Sequence, residues 1–328
     1  MSKNYGLPYM GSKSGIVHLI RYVLERHYDK KYFIDVFCGG FAVSHYVLEK
    51  TNMKVLANDK NKYVVALIEQ TLKGLPDSVY DFVTRETFFD VIENPDKYDE
   101  WYVGYVSTIW SFGNSQKAYM FGKDVEPLKH SMHNAIVFNN WDNSVKDLEK
   151  IIPHGLKALD YKKYPNKRTK LMGYVKRHLK DRLDLQRLER LQQLQQLQQL
   201  ERLQQLERLE RLQQLQQLQQ LDWRDFINSI PPEILENAII YCDPPYEDTA
   251  KYAEDTFSHQ DFWQWFRETP YCVYVSSYKA PDDIKPLNFE YKNQLLSGGV
   301  GKLVTENIYW NGKGNYIPTM EDLLFNED

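Results

Sequence analysis

The sequence predicts an α/β protein built on a doubly wound, mostly parallel sheet, interrupted by a long insertion. Three observations carry this. Short apolar runs of strand type alternate with helical patterns over residues 1–72 and again from 238 onward. One such run ends in FCGG and another in CDPPY, so both stop at sharp turns, where glycine frees the backbone and proline removes a ladder donor. Between them, roughly 73–222, the alternation is absent.

Residues 15–28 (GIVHLIRYVLERHY) place apolar side chains at helical spacing, and 32–36 (YFIDV) reads as a short buried strand. After FCGG comes a second helical stretch, AVSHYVLEK. Residues 54–57 (KVLA) form the next expected strand, followed by helix in NDKNKYVVALIEQTL. The pattern resumes at 238–242, with helix in FWQWFRET and strand in YCVYVSSY. The insertion contains FFDVIENPDKYDEWYVGYVSTIWSFGN, too aromatic for a linker, and reads as a second, mainly helical subdomain. The expected organisation is 1–72, first part of the α/β domain; 73–182, inserted subdomain; 183–222, a repeat; 223–328, second part of the α/β domain.

The repeat places leucine at every third position from 185 to 221, thirteen in all, with Gln, Arg and Glu between. Each residue type favours helix, yet three residues advance an α-helix by about 300°, so the leucines circle the rod. A coiled-coil seam needs a period of 3.5. An α-helix ranks first, and a solenoid with coils of a multiple of three residues second. We expect the tract to be a spacer or contact surface outside the catalytic site.

A chain of 328 residues, 42% hydrophobic and 14% aromatic, can bury a full core. It opens without an apolar leader and has no run of about 18 apolar residues, so a cytoplasmic protein with no membrane span is expected. Cys38, Cys242 and Cys272 lack metal-ligand spacing and read as free thiols. Net charge is −4, which excludes a chain coated throughout for nucleic acid. Residues 157–182 nevertheless carry ten basic residues against two acids, interleaved with Tyr161, Tyr164 and Tyr174. That suits phosphate contacts; a solvated surface segment is the other reading. His18, His27, His45, His130 and His133 lack ligand spacing and read as structural or surface residues. Trp101, Trp110, Phe112 and Asn114 read as core ahead of base readers, although their place in the insertion leaves the second role open.

Chemistry concentrates at the two turns. Glycines after the first strand let backbone approach a ligand, and Asp59 follows the next strand at the offset where an acid binds ribose hydroxyls, so a nucleoside-bearing cofactor is indicated. The order Asp243-Pro244-Pro245-Tyr246 suits an aromatic amine, whose lone pair is delocalised into its ring. A carboxylate (Asp243) and a rigidly held carbonyl (Pro244) that both accept from the NH₂ favour pyramidal nitrogen, and a flat ring (Tyr246) can stack on the base. A Pro-Pro turn that merely closes a buried strand is the alternative.

In these residues the chain resembles the Dam-type DNA adenine-N6 methyltransferases, which are S-adenosylmethionine-dependent. PYMGSK at 8–13 looks like the family's N-terminal cofactor motif, FIDVFCGGFAV like its glycine motif, LAND at 56–59 like its acidic motif and DPPY like its catalytic motif. VYVSSYKAP and VTENIYW look like its later strands, and the order agrees, with target recognition placed between the acidic motif and DPPY. The resemblance implies a Rossmann-like methyltransferase fold and transfer of a methyl group to N6 of a flipped-out adenine. It implies cofactor contacts from Tyr9, Gly11, Lys13, Asp35, Phe37, Gly39, Gly40, Asp59 and Asp243, catalysis by Asp243, Pro244, Pro245 and Tyr246, and no metal. Double-stranded DNA is the implied partner, and a cognate restriction endonuclease is a further partner it admits. Two positions depart from the family: Phe41 stands where a third glycine is common, and Tyr9 replaces a tryptophan. The alternatives are an amino-methyltransferase of cytosine N4 or RNA, and a non-catalytic DNA-binding or scaffold protein.

Overall fold

The computed structural model describes residues 5–9, 13, 17–138, 140, 142–143, 215–245, 257–287, 291–295 and 302–316. The chain divides into two units: Met1–Leu7, Gly11–Val65 and Arg211–Asp328 form one, Pro8–Met10 and Ala66–Glu210 the other.

The first unit is built on a sheet. Among the described residues its strands are β1 (Tyr32–Asp35), β2 (Lys54–Asn58), β3 (Leu215–Gln219), β4 (Ala238–Cys242), β5 (Val273–Ser277), β6 (Tyr291–Leu295) and β7 (Lys302–Trp310). They lie in the order β3-β2-β1-β4-β5-β7-β6. The first five in that order are parallel, while β7 runs antiparallel to both β5 and β6. β4 and β5 are buried at every position, which is why AIIYC and VYVSS show no polar alternation.

Both faces are covered. Ile34, Leu56, Ile240, Val273 and Val275 pack with Trp223, Phe226, Phe262 and Phe266 from α7 (Trp223–Ser229) and α9 (His259–Glu268). On the alternate positions Phe33 stacks on Tyr241, and His27, just past α1 (Val17–Arg26), bonds the Tyr274 hydroxyl at 2.7 Å. α2 (Ala42–Lys50) lies against β1 and β2, and α8 (Pro232–Glu236) leads into β4. Asp222 and Ser258 cap α7 and α9 by accepting backbone N–H groups with their side chains. The parallel core and flanking helices give a Rossmann-like architecture, and the expected strands and helices of 15–72 and 238–310 stand in that order.

The repeat is where expectation fails. Its described C-terminal end is the strand β3 where helix ranked first, and the sheet therefore resumes at Leu215, not at Ala238. Helix propensity is a weak prior, and an open sheet edge beside β2 offers Leu215–Gln219 a parallel ladder, interrupted only by a register shift between Val55 and Leu56, that outweighs it. The earlier part of the repeat lies outside the described residues, as does the basic stretch 157–182.

The second unit is helical where described, with α4 (Arg85–Glu93), α5 (Glu100–Ile109) and α6 (Glu126–Phe138), preceded by the continuation of α3 (Lys62–Lys73). Its core is aromatic. Phe82 stacks on His130, meets Trp110 edge-on and lies over Phe121. Trp110 is fully buried and donates its indole N–H to the Tyr105 hydroxyl, which in turn donates to the Val79 carbonyl. His133 is buried and bonds the Tyr80 carbonyl at 2.6 Å. His130, by contrast, is exposed where it stacks on Phe82. Phe112 corrects the core reading: it is 58% exposed at the tip of a turn closed by Phe112 N–H to Ala118 O and Met120 N–H to Trp110 O. Gly113 and Gln116, both at φ 60°, turn the chain there. Trp101 is half-buried.

Candidate active site

β1 pairs with β2 on one side and β4 on the other, so the chain reverses its direction of winding between β1 and β4. In an open α/β sheet the crevice outside the carboxyl ends of the strands at that point binds ligands. The glycine turn leaves the end of β1, and Asp243-Pro244-Pro245 leaves the end of β4. The two turns that sequence singled out therefore flank the switch point.

Asp243 is held from two sides. Lys13 Nζ lies 2.8 Å from Oδ2, with the lysine side chain only 8% exposed. Ser276, from β5, donates its hydroxyl to Oδ1 at 3.2 Å, and Tyr241 donates to Ser276 Oγ at 2.8 Å. On the neighbouring strand Asp35 is buried and accepts from Ser44 Oγ at 2.6 Å through Oδ2. Its other oxygen, Oδ1, has no hydrogen-bond partner among the described residues. Burial, reinforced by the charge of Asp243, pushes the Asp35 carboxyl up to about 7.

Asp59 follows β2. Its Oδ2 accepts the Gly39 N–H and its Oδ1 the Asn61 N–H, each at 2.8 Å, so the acid and the glycine turn fix one another. Leu7 N–H donates to the Gly40 carbonyl at 2.5 Å, and Gly6 N–H to His45 Nδ1 at 3.0 Å. Gly6, at φ 70°, lies so close that a Cβ would stand 2.2 Å from the Gly40 oxygen. Phe41 occupies the left-handed region at φ 64° with its ring fully buried. The backbone shape a glycine adopts freely is thus kept, at a cost of roughly 1–2 kcal/mol, while the ring fills the core.

The structure brings Lys13, Asp35, Gly39, Gly40, Asp59 and Asp243 to one edge of the sheet, where Pro244 and Pro245 also lie. Phe37 faces inward and packs edge-on against Phe257 and Phe262. Tyr9 is half-buried and is grouped with the second unit. Gly11 and Tyr246 lie outside the described residues. Sequence reasoning missed Gly6, Ser44, Asn58, Tyr241 and Ser276. Only Gly6, one residue from Leu7-Pro8, carried any local signal of a turn.

No curated protein matches the chain. A family model described as D12 class N6 adenine-specific DNA methyltransferase matches residues 9–271, a span running from the N-terminal motif through Asp243 to the threshold of β5. With the glycine, acidic and DPP turns meeting at the switch point inside that span, the chain belongs to the D12 class of N6 adenine-specific DNA methyltransferases, enzymes that methylate adenine in DNA.

Proposed function

We propose that the site takes S-adenosylmethionine over the β1 and β2 turns and presents adenine N6 to Asp243 and Pro244. The supporting observation is the placement of Asp243 at the switch point, its carboxylate braced by Lys13 and Ser276 beside Asp35 and Asp59. The cofactor brings an ammonium, a sulfonium and ribose hydroxyls, which call for anions and acceptors. A buried carboxylate oxygen of Asp35 without a partner among the described residues, and the Asp59 carboxylate beside Gly39, fit that donor set. Asp59 would hold the ribose hydroxyls, Asp35 the cationic end, and Lys13 the geometry of Asp243. When bound, S-adenosylmethionine supplies an electrophilic methyl group.

The chain's own residues do the rest. Asp243 and the Pro244 carbonyl accept the two N–H bonds of the adenine amine, favouring pyramidal nitrogen and turning its lone pair toward the methyl donor. The two prolines fix that geometry. Tyr246, by resemblance, stacks on the flipped base. The proton leaves N6 after transfer, to Asp243 or water. The second unit serves as the target-recognition subdomain, and Phe112 at its exposed turn is the residue we assign to DNA contact.

Asp243→Asn keeps the size of the side chain and removes its charge. We expect single-turnover methylation of adenine-containing duplex DNA to fall by about 10²- to 10³-fold or more, with the thermal midpoint little changed. Near-normal turnover in the folded variant would refute the assignment.

A further inference from the structure

We propose that Asn58 is a positioning residue that ties the end of the leucine triplet repeat to Asp59, so that the repeat's last strand helps to set the cofactor pocket. This rests on the reading of Asp59 as the ribose acceptor.

Asn58 ends β2 and is 1% exposed. Its carboxamide donates to the Leu221 carbonyl and to the Val36 carbonyl, each at 3.1 Å, and accepts from the Leu221 N–H at 2.9 Å. Its own carbonyl accepts from Cys38 N–H at 2.8 Å. One side chain thus joins the exit of β1 to the last residue of the repeat, while its backbone holds the glycine turn. Asp59 comes next: its N–H donates to the Gln219 carbonyl at 3.2 Å while its carboxylate holds Gly39.

The pattern needs a side chain with both donors and an acceptor on a short stem. Aspartate lacks the donors, leucine lacks both functions, and glutamine is one methylene too long. A repeat gives the lock a reason to exist. LQQLQ occurs at 212–216 as well as at 215–219, so a slip of one triplet would set identical side chains against β2. The Asn58 bonds clamp the backbone where the repeat gives way to Asp222, which caps α7, and to the buried Trp223.

The test compares Asn58→Ser with Asp59→Ala by calorimetric binding of S-adenosylmethionine, and with the 2′,3′-dideoxy form of S-adenosylhomocysteine as the ligand lacking ribose hydroxyls. We expect Asn58→Ser to weaken S-adenosylmethionine binding about tenfold, or about 1.4 kcal/mol. It should leave binding of the dideoxy ligand, and the rate at saturating cofactor, within about twofold of wild type. If Asp59→Ala weakens binding and Asn58→Ser does not, the proposal falls and the ribose reading stands. If Asp59→Ala leaves binding unchanged, the ribose reading fails and the proposal with it. A lowered thermal midpoint with unchanged affinity in Asn58→Ser would make the residue merely structural and overturn the proposal. Wild-type protein supplies a check that requires no variant. Amide hydrogen exchange at Leu221 should slow on adding S-adenosylhomocysteine, together with Gly39 and Asp59; slowing at the latter two alone would also overturn it.

Discussion

Asp243 carries its charge between two donors, and the second of them is itself directed. Because the Tyr241 hydroxyl donates to Ser276 Oγ, the single Ser276 proton points to Asp243. Ser276→Ala should therefore slow methylation at saturating cofactor and DNA by roughly tenfold or more, the scale of a hydrogen bond to a charged group. Tyr241→Phe should cost less, since the serine proton can still turn to the carboxylate. Single-turnover rates with unchanged cofactor affinity check this pair, and equal effects from both substitutions would argue against the directed chain. At this scale the sequence was legible wherever chemistry coincided with a break in the backbone: FCGG, Asp59 and Asp243-Pro244-Pro245 announce themselves because glycine, proline and a strand-ending acid punctuate the chain. Ser44, Ser276 and Tyr241 did not. Their roles arise only when α2 packs on β1 and when β4 and β5 lie side by side, and nothing in the local composition marks them.

Elements read well when their period was that of a regular structure. AVSHYVLEK is α2 from end to end, and the continuous apolar strands are buried on both faces as a parallel core requires. Leu215–Gln219 became a strand because β2 had an edge to pair, a tertiary fact that no period of three expresses. This last segment meets the acidic turn directly, its Gln219 carbonyl accepting the Asp59 N–H. In the second unit, Trp110 and Phe112 stand two residues apart and point to opposite fates, buried and exposed. Trp110→Ala should destabilise its unit by about 3–5 kcal/mol in urea denaturation. Phe112→Ala should leave stability within about 0.5 kcal/mol and weaken duplex binding several-fold in a fluorescence titration. Wild-type DNA affinity for Phe112→Ala would return the ring to the role of bare surface.

Across the molecule, two buried groups contribute to stability in opposite senses as the pH falls. The Asp35 carboxyl sits at about 7 against 3.8 unfolded, so between those values the folded state keeps a proton the open chain has lost. Its contribution to stability is present at low pH and declines as pH rises through that window. Burial holds His133 at about 4 against 6.5. Its contribution is present above about 6.5 and lost as pH falls toward 4, by at most roughly 3 kcal/mol. Compared with the variants by amide exchange, the Asp35 carboxyl should protect the sheet in acid and the His133 imidazole should loosen the aromatic core, while His27, which burial also holds below its ordinary value, acts on the sheet in the sense opposite to Asp35. Asp35→Asn and His133→Gln should each flatten the slope of its own unit alone, and slopes unmoved by either substitution would contradict both assignments. No helix among the described residues is long and apolar enough to cross a membrane. The strand order carries one more consequence, which concerns time. Tyr32 lies against Ala238, so the middle of the sheet joins a strand made early to one made late. At about 5–20 residues per second a ribosome takes roughly ten to forty seconds to travel between them. For that interval β1 and β2 exist without β3 or β4, with their apolar faces and open edges uncovered. The nascent chain therefore passes through a window in which it is a target for chaperones, and slowing translation across the insertion should lower the yield of soluble enzyme.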